Sequence, residues 1–176
     1  MKMNFRLLLI VILTSLITLQ GKAIKPVAEI IAKTNGNLSV SVTTSTAGGK
    51  YAPRNLVAIW VEDNNGVFVK TLLVNAKRQI KYLTNWLTKN PEGNSVDALT
   101  GATVNSYNTL TATWNGTDIA GIVVNNGTYR LCMELSDMDD TGNFSYFTFT
   151  KGATVDKQTP TDKPSFSNIT FSWTPK

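Results

Sequence analysis

Residues Leu56 to Val74 read LVAIWVEDNNGVFVKTLLV, and this stretch decides what kind of protein the chain can be. Leu56 to Val61 is a near-continuous apolar run rich in β-branched and aromatic residues, the pattern of a central strand buried on both faces. Asn64-Asn65-Gly66 follows, and Val67 to Val74 is a second run of the same character. Two such runs joined by an Asn-Gly turn make a β-hairpin signal, because Asn and Gly tolerate the positive φ that tight turns require.

The chain on either side keeps the period of two. Leu38, Val40 and Val42 alternate with Ser39, Ser41 and Thr43, as in a half-buried strand. Further strands are predicted at Tyr107 to Trp114, Thr128 to Leu135, Phe144 to Thr150 and Phe166 to Trp173. In the third of these, Phe144, Tyr146, Thr148 and Thr150 share one face against Ser145, Phe147 and Phe149. In the last, Ile169, Phe171 and Trp173 oppose Thr170 and Ser172. One segment breaks the pattern. From Ala76 to Lys89 the residues Ile80, Leu83, Trp86 and Leu87 fall at helical spacing, which predicts a single helix inserted between strands. The expected fold is therefore all-β: an immunoglobulin-like β-sandwich of about seven strands with one inserted helix.

Composition narrows the chemistry. The chain has 176 residues, 17 Lys and Arg against 12 Asp and Glu, one Cys and no His. The missing His removes His-assisted triads, His general bases and His-ligated metal sites. A lone Cys132 leaves no internal disulfide or CxxC motif, and alternation sets it opposite the large apolar residues Tyr129, Leu131, Met133 and Leu135. Lys2 and Arg6, the apolar run Leu7 to Leu19, and the small residues Gly21 and Ala23 together read as a signal peptide over residues 1–23, leaving one domain over 24–176. An uncleaved anchor is the alternative, although the run is shorter than the roughly 20 residues a span needs. Cleavage would remove Lys2, Arg6 and Lys22 and leave 14 basic against 12 acidic residues, so the formal charge falls from +5 to +2. No nucleic-acid footprint remains at that charge, and no stable membrane span is expected after cleavage.

Weaker signals have bland readings beside sharp ones. Asp137, Asp139 and Asp140 before Gly142 resemble half of a calcium loop but lack its remaining ligands, so a solvated turn is expected and no metal. Glu62 and Asp63 read as a polar turn rather than an acid/base pair. Tyr82 and Trp86, four apart, read as core rather than as a stacking platform for a cofactor.

Two motifs carry resemblances. Trp114 to Tyr129 (WNGTDIAGIVVNNGTY) resembles the W-[DN]-G-x-D-x-x-G…G-x-Y hairpin of the immunoglobulin-like module in flagellar hook-capping and other bacterial surface proteins. That resemblance implies Trp114 and Tyr129 on adjacent strands, with Asn115, Gly116, Asp118, Gly121 and Gly127 shaping the turns. Val96 to Ser106 (VDALTGATVNS) resembles the D-x-x-[ST]-G-A-[ST] acceptor motif of covalently flavinylated extracytoplasmic proteins. Carried across, Thr103 is the residue to which an FMN transferase would join FMN, and Asp97, Thr100, Gly101 and Ala102 are the recognition residues. Small Gly101 and Ala102 would admit a bulky donor, and a plain hydroxyl needs an outside enzyme to activate it. Asn105 stands where such motifs often carry Thr. The alternative is a structural turn in which Asp97 or Thr100 caps backbone groups.

Over Ser39 to Trp173 the chain is similar to a family of predicted periplasmic proteins, domain of unknown function 2271 (DUF2271). The residues that carry this are YAPRNLVAIWVED at Tyr51 to Asp63, Gly66 to Leu72, Lys81 to Leu83, the Val96 to Thr103 segment and the Trp114 to Tyr129 stretch. The resemblance implies a periplasmic location and, as partners, an FMN transferase and a PepSY-type membrane reductase. Two expectations follow: an accessory redox carrier with FMN at Thr103, or a cofactor-free structural or protein-binding module. Neither is a self-contained enzyme.

Overall fold

The computed structural model describes residues 32–90, 99–101, 105–138 and 142–176, with the backbone alone at residues 77, 78 and 99–101. The expected signal peptide, residues 1–23, lies outside the described residues. Nine strands are present among them: β1 (Gly36–Thr44), β2 (Leu56–Asp63), β3 (Phe68–Asn75), β4 (Leu99–Gly101), β5 (Thr109–Trp114), β6 (Gly127–Ser136), β7 (Asn143–Lys151), β8 (Asp156–Gln158) and β9 (Phe166–Pro175). They form two sheets, of order β5-β1-β9-β8 and β4-β3-β2-β6-β7. Every pairing is antiparallel except β3 with β4. The protein is an all-β sandwich, as the alternation predicts. The strand count exceeds seven because β4 and β8 are three-residue edge strands, and β8 falls partly inside a stretch with the polarity of a loop.

Each sheet turns its apolar period inward. Leu38, Val40, Val42, Ile59, Val61, Leu131, Met133, Phe147, Phe149, Phe171 and Trp173 form one buried cluster between the sheets. Burying each such side chain contributes about 1.5–3 kcal/mol. The alternate residues of β2 face the other way and are buried too. Leu56, Ala58 and Trp60, with Val74 and Cys132, make a second cluster under Leu83 and Trp86. This explains the run LVAIWV: β2 is central in its sheet and covered on both faces, once by the opposite sheet and once by the inserted segment.

That segment is not the single helix its periodicity predicts. A 3-10 turn (Lys77–Tyr82) and a short helix α1 (Thr84–Lys89) meet at Leu83, whose φ of −93° and ψ of 68° break the helical path. The break lets Leu83 and Trp86 both point into the second cluster, where each is fully buried. Trp86 also donates from Nε1 to Thr71 Oγ1 at 3.0 Å. Tertiary burial overrides helical continuity here, and Tyr82 and Trp86 are core or core-edge residues.

The Trp114 to Tyr129 stretch also departs from expectation. Trp114 ends β5 in the four-stranded sheet, whereas Tyr129 lies on β6 in the five-stranded one, so the connection crosses between sheets and the two are not on adjacent strands. Their rings still meet, at 5.4 Å between centroids. The loop is shaped as its residues imply. Asp118 Oδ1 accepts from the Ile122 N–H (2.9 Å), Trp114 Nε1 donates to the Thr117 carbonyl (2.7 Å), and Tyr129 O–H donates to the Asn125 carbonyl (2.6 Å). Gly116 has φ +78°, and an added Cβ would lie 2.9 Å from Lys151 Cε and 3.0 Å from the Trp173 ring. Gly121 has φ +79° with nothing within 4 Å. Urea denaturation should therefore separate the two positions. Gly121→Ala carries only the left-handed backbone penalty of about 1–2 kcal/mol. Gly116→Ala adds overpacking, for a total of about 2–4 kcal/mol. Equal losses would refute the packing role of Gly116.

Candidate functional site

Thr100 and Gly101 stand on β4, the edge strand of the five-stranded sheet, in register with Val74 and Asn75 of β3. Asp97, Ala102 and Thr103 lie outside the described residues. The chain just past them is held by the loop that leads into β2. The Arg54 guanidinium donates from Nη1 to Asn105 Oδ1. Asn55 Nδ2 donates to the Ser106 carbonyl (3.2 Å) and to Asn108 Oδ1 (3.0 Å). Two buried polar atoms beside these bonds have no hydrogen-bond partner among the described residues, Arg54 Nε and Asn55 Oδ1. Arg54 thus brings a guanidinium to Asn105, two residues along from Thr103 in sequence, and such a group suits a phosphodiester, which carries one negative charge.

Asp137 organises the same end of the sandwich. Its Oδ2 accepts from Thr46 Oγ1 (2.9 Å), Ala47 N–H (2.8 Å) and Gly49 N–H (3.3 Å). Its Oδ1 accepts from Arg54 N–H (3.2 Å) and from the Tyr107 hydroxyl. Burial alone would raise the Asp137 pKa, but the bonds from Tyr107, Thr46, Arg54 and Ala47 outweigh it and hold the carboxyl below its ordinary value. Burial, and then the bond to Asp137, raise that of Tyr107. Asp137 is thus spent on structure rather than exposed in a turn, and Asp139 and Asp140 lie outside the described residues. Among the described residues, no group of three or more acidic or Cys side chains is placed to hold a metal ion.

A second site lies on the outer face of the five-stranded sheet, where α1 stops covering it. A cleft of about 130 Å³ is lined by Trp60, Glu62, Lys89, Arg130, Phe144 and Tyr146, with Asn85 and Thr88 at its α1 side. Trp60 stacks on Phe144 at 5.6 Å and 25°, reaching across Cys132, which pairs with Trp60 on one side and Tyr146 on the other. A larger residue at 132 would push these rings apart. Arg130 lies over the Tyr146 ring at 5.0 Å and donates to the Asn64 carbonyl (2.7 Å). Lys89 Nζ donates to the Gly66 carbonyl (2.9 Å), and Glu62 Oε1 accepts from Trp60 Nε1 (2.9 Å). Arg130 Nη1, Glu62 Oε2 and Lys89 Nζ all come within 3.5 Å of the point where a Cβ on Gly66 would sit. Two cations and one carboxylate therefore converge beside three aromatic rings. The volume falls short of the roughly 300–1,000 Å³ of a cofactor pocket and suits a single side chain. Burial, then Glu62, pushes the Cys132 thiol up, so it is a packed small hydrophobe and not a nucleophile.

Sequence reasoning missed this cleft. Asp63 does make the expected turn, its Oδ1 accepting from Asn65 and Val67 N–H, but Glu62 points the other way and is buried. The legible hint was the exposed face of β7, where Phe144 and Tyr146 stand at positions a solvent-facing strand usually gives to polar residues.

One family model, described as "Predicted periplasmic protein (DUF2271)", matches residues 37–164, which is more than half of the chain. No curated protein matches it, and no solved structure does. The matched range includes the cleft, β7, the Asp137 cluster and the Val96 to Thr103 segment. Among the described residues, no helix is long and apolar enough to cross a membrane.

Proposed function

The chain belongs to this DUF2271 family of predicted periplasmic proteins, and from that premise we propose that it is an extracytoplasmic accessory redox carrier with FMN joined to Thr103. The observation that supports this most is the setting of the motif. Thr100 and Gly101 are fixed to a sheet edge, Asn105 and Ser106 are tied down by Arg54 and Asn55, and the acceptor falls in the short interval between. Thr103 supplies the hydroxyl oxygen that bonds the FMN phosphorus. The FAD donor's pyrophosphate bond breaks, AMP leaves, and the hydroxyl proton passes to the transferase. Arg54, which is bonded to Asn105, would be the cation to meet the remaining phosphate charge. The bound flavin would supply reversible electron transfer, with a PepSY-type reductase as the expected donor. The chain has no His to activate the hydroxyl itself, so the transferase does that work.

Intact mass after co-expression with an FMN transferase tests the reading. The mature chain should gain one FMN phosphoester and absorb in the visible flavin bands, and Thr103→Ala should remove both. A chain that stays colourless, or a Thr103→Ala chain that keeps the increment, ends the proposal. The second reading, a cofactor-free binding module, is favoured by a different observation, the half-open edge of β7.

A further inference from the structure

β7 is the outer strand of the five-stranded sheet, paired with β6 from Gly127↔Lys151 to Leu135↔Asn143. In such a pair, alternate residues turn both N–H and C=O toward the neighbour and the others turn them outward. Two bonds fix which set faces out. Thr150 N–H donates to Asp156 Oδ2 (2.6 Å), and the Thr148 carbonyl accepts from Gln158 Nε2 (3.0 Å). The even-numbered residues therefore face away from β6. Over Thr148 and Thr150 the edge is closed by side chains, a device that keeps edge strands from pairing with other chains. Over Phe144 and Tyr146 it is open. Among the described residues nothing bonds their outward N–H and C=O groups, and the two residues are 40% and 48% exposed. A groove of about 720 Å³ runs between this half of β7 and residues 158–163.

Charge names the occupant. The charged groups lining the groove and the adjoining cleft are Lys163, Lys89 and Arg130, against one carboxylate, Glu62, which is 3% exposed and bonded to Trp60. Asp156 and Asp162 stay off the lining, turned to the N–H groups of Thr150 and Asn168. Two copies joined edge to edge would bring both sets of cations together, which disfavours self-pairing.

We propose that the Phe144–Tyr146 half of β7 is a docking edge that takes an extended acidic segment of a partner protein as an added strand. Main-chain bonds to Phe144 and Tyr146 supply affinity, the two rings pack against alternate side chains, and Arg130, Lys89 and Lys163 select carboxylates. The proposal goes beyond the flavin reading and needs neither Thr103 nor a cofactor.

The test is titration of the isotope-labelled protein with an acetylated octapeptide alternating Val and Asp, beside its Val–Lys counterpart, read by amide shifts and hydrogen exchange. The acidic peptide should saturate, shift the amides of Phe144 and Tyr146 and slow their exchange, at an affinity at least tenfold above that of the basic one. Tyr146→Pro removes an outward N–H while sparing the bonds to β6 and should weaken binding at least fivefold. Arg130→Gln should do the same with the edge intact, and Thr103→Ala should bind as the parent does. The proposal fails if neither peptide binds, if both bind equally, if the shifts map away from β7, or if the protein instead dimerises through this edge. Loss of the flavin adduct would leave these results unchanged, so the two proposals stand or fall separately.

Discussion

Asp137→Ala is expected to cost about 3–5 kcal/mol of stability, read as a lower urea midpoint at an unchanged slope. The carboxylate accepts from three loop N–H groups, of Ala47, Gly49 and Arg54, and from the hydroxyls of Thr46 and Tyr107. Truncation leaves those backbone donors without their acceptor in a buried setting, at about 1–3 kcal/mol for each that water cannot reach. Asp137→Asn keeps the volume and one acceptor oxygen, so its loss should be smaller, about 1–3 kcal/mol. The pH dependence follows from the sign of the shift. The native pKa lies below the ordinary carboxyl value of 3.8, so the stabilisation is complete above that value and drains away as pH falls through the lower native one. The parent should therefore lose more stability than Asp137→Asn on acidification below about pH 4. An Asp137→Ala protein within 1 kcal/mol of the parent would show that water replaces the carboxylate, and that Asp137 does not organise this end of the sandwich.

The case of Asp137 marks where sequence stops being informative. Period-two patterns predict β1 and β9 with the correct inward faces, because a strand's burial is recorded in its own alternation, whereas β7 carries aromatic residues on both faces and its alternation leaves the inward one open. The apolar run of β2 reports burial on both faces without saying what covers them. Asp137 sits in an acidic stretch that locally looks like a turn, and its donors lie up to 91 residues away in the chain. Lys151 is similar. It reads as an ordinary strand-end cation, yet it is fully buried and donates to the carbonyls of Thr34 and Val124. The site residues split the same way. Gly116, Asp118 and Tyr129 are legible because turn chemistry is local. The convergence of Glu62, Lys89 and Arg130 depends on a hairpin, a helix and a neighbouring strand meeting at one point, which no spacing encodes.

Glu134→Ala should have the second large effect, and its signature is local rather than global. Helix α1 begins at a Leu83 N-cap that supplies no side-chain bond. The missing acceptor comes from β6 instead, 49 residues away. Glu134 Oε1 accepts from the N–H and the Nδ2 of Asn85 (3.0 and 2.9 Å), and Oε2 accepts from the Trp86 N–H (2.8 Å). These charge-assisted bonds tie a helix of six residues, too short to persist alone, onto the outer face of the sheet. Removing them should cost about 3–4 kcal/mol, most of it in the docking of α1. Cys132 lies in the cluster that α1 covers, fully buried and with its thiol pushed up, so it reports on that docking. In the parent protein a thiol reagent should label Cys132 only as fast as the fold opens. In Glu134→Ala, labelling under native conditions should rise by on the order of a hundredfold, since each 1.4 kcal/mol is a factor of ten in the open population. Glu134→Gln keeps one oxygen for the helix N–H groups and should fall between the two. Parent-like labelling in Glu134→Ala would mean that the packing of Leu83 and Trp86 holds the helix without its distant cap.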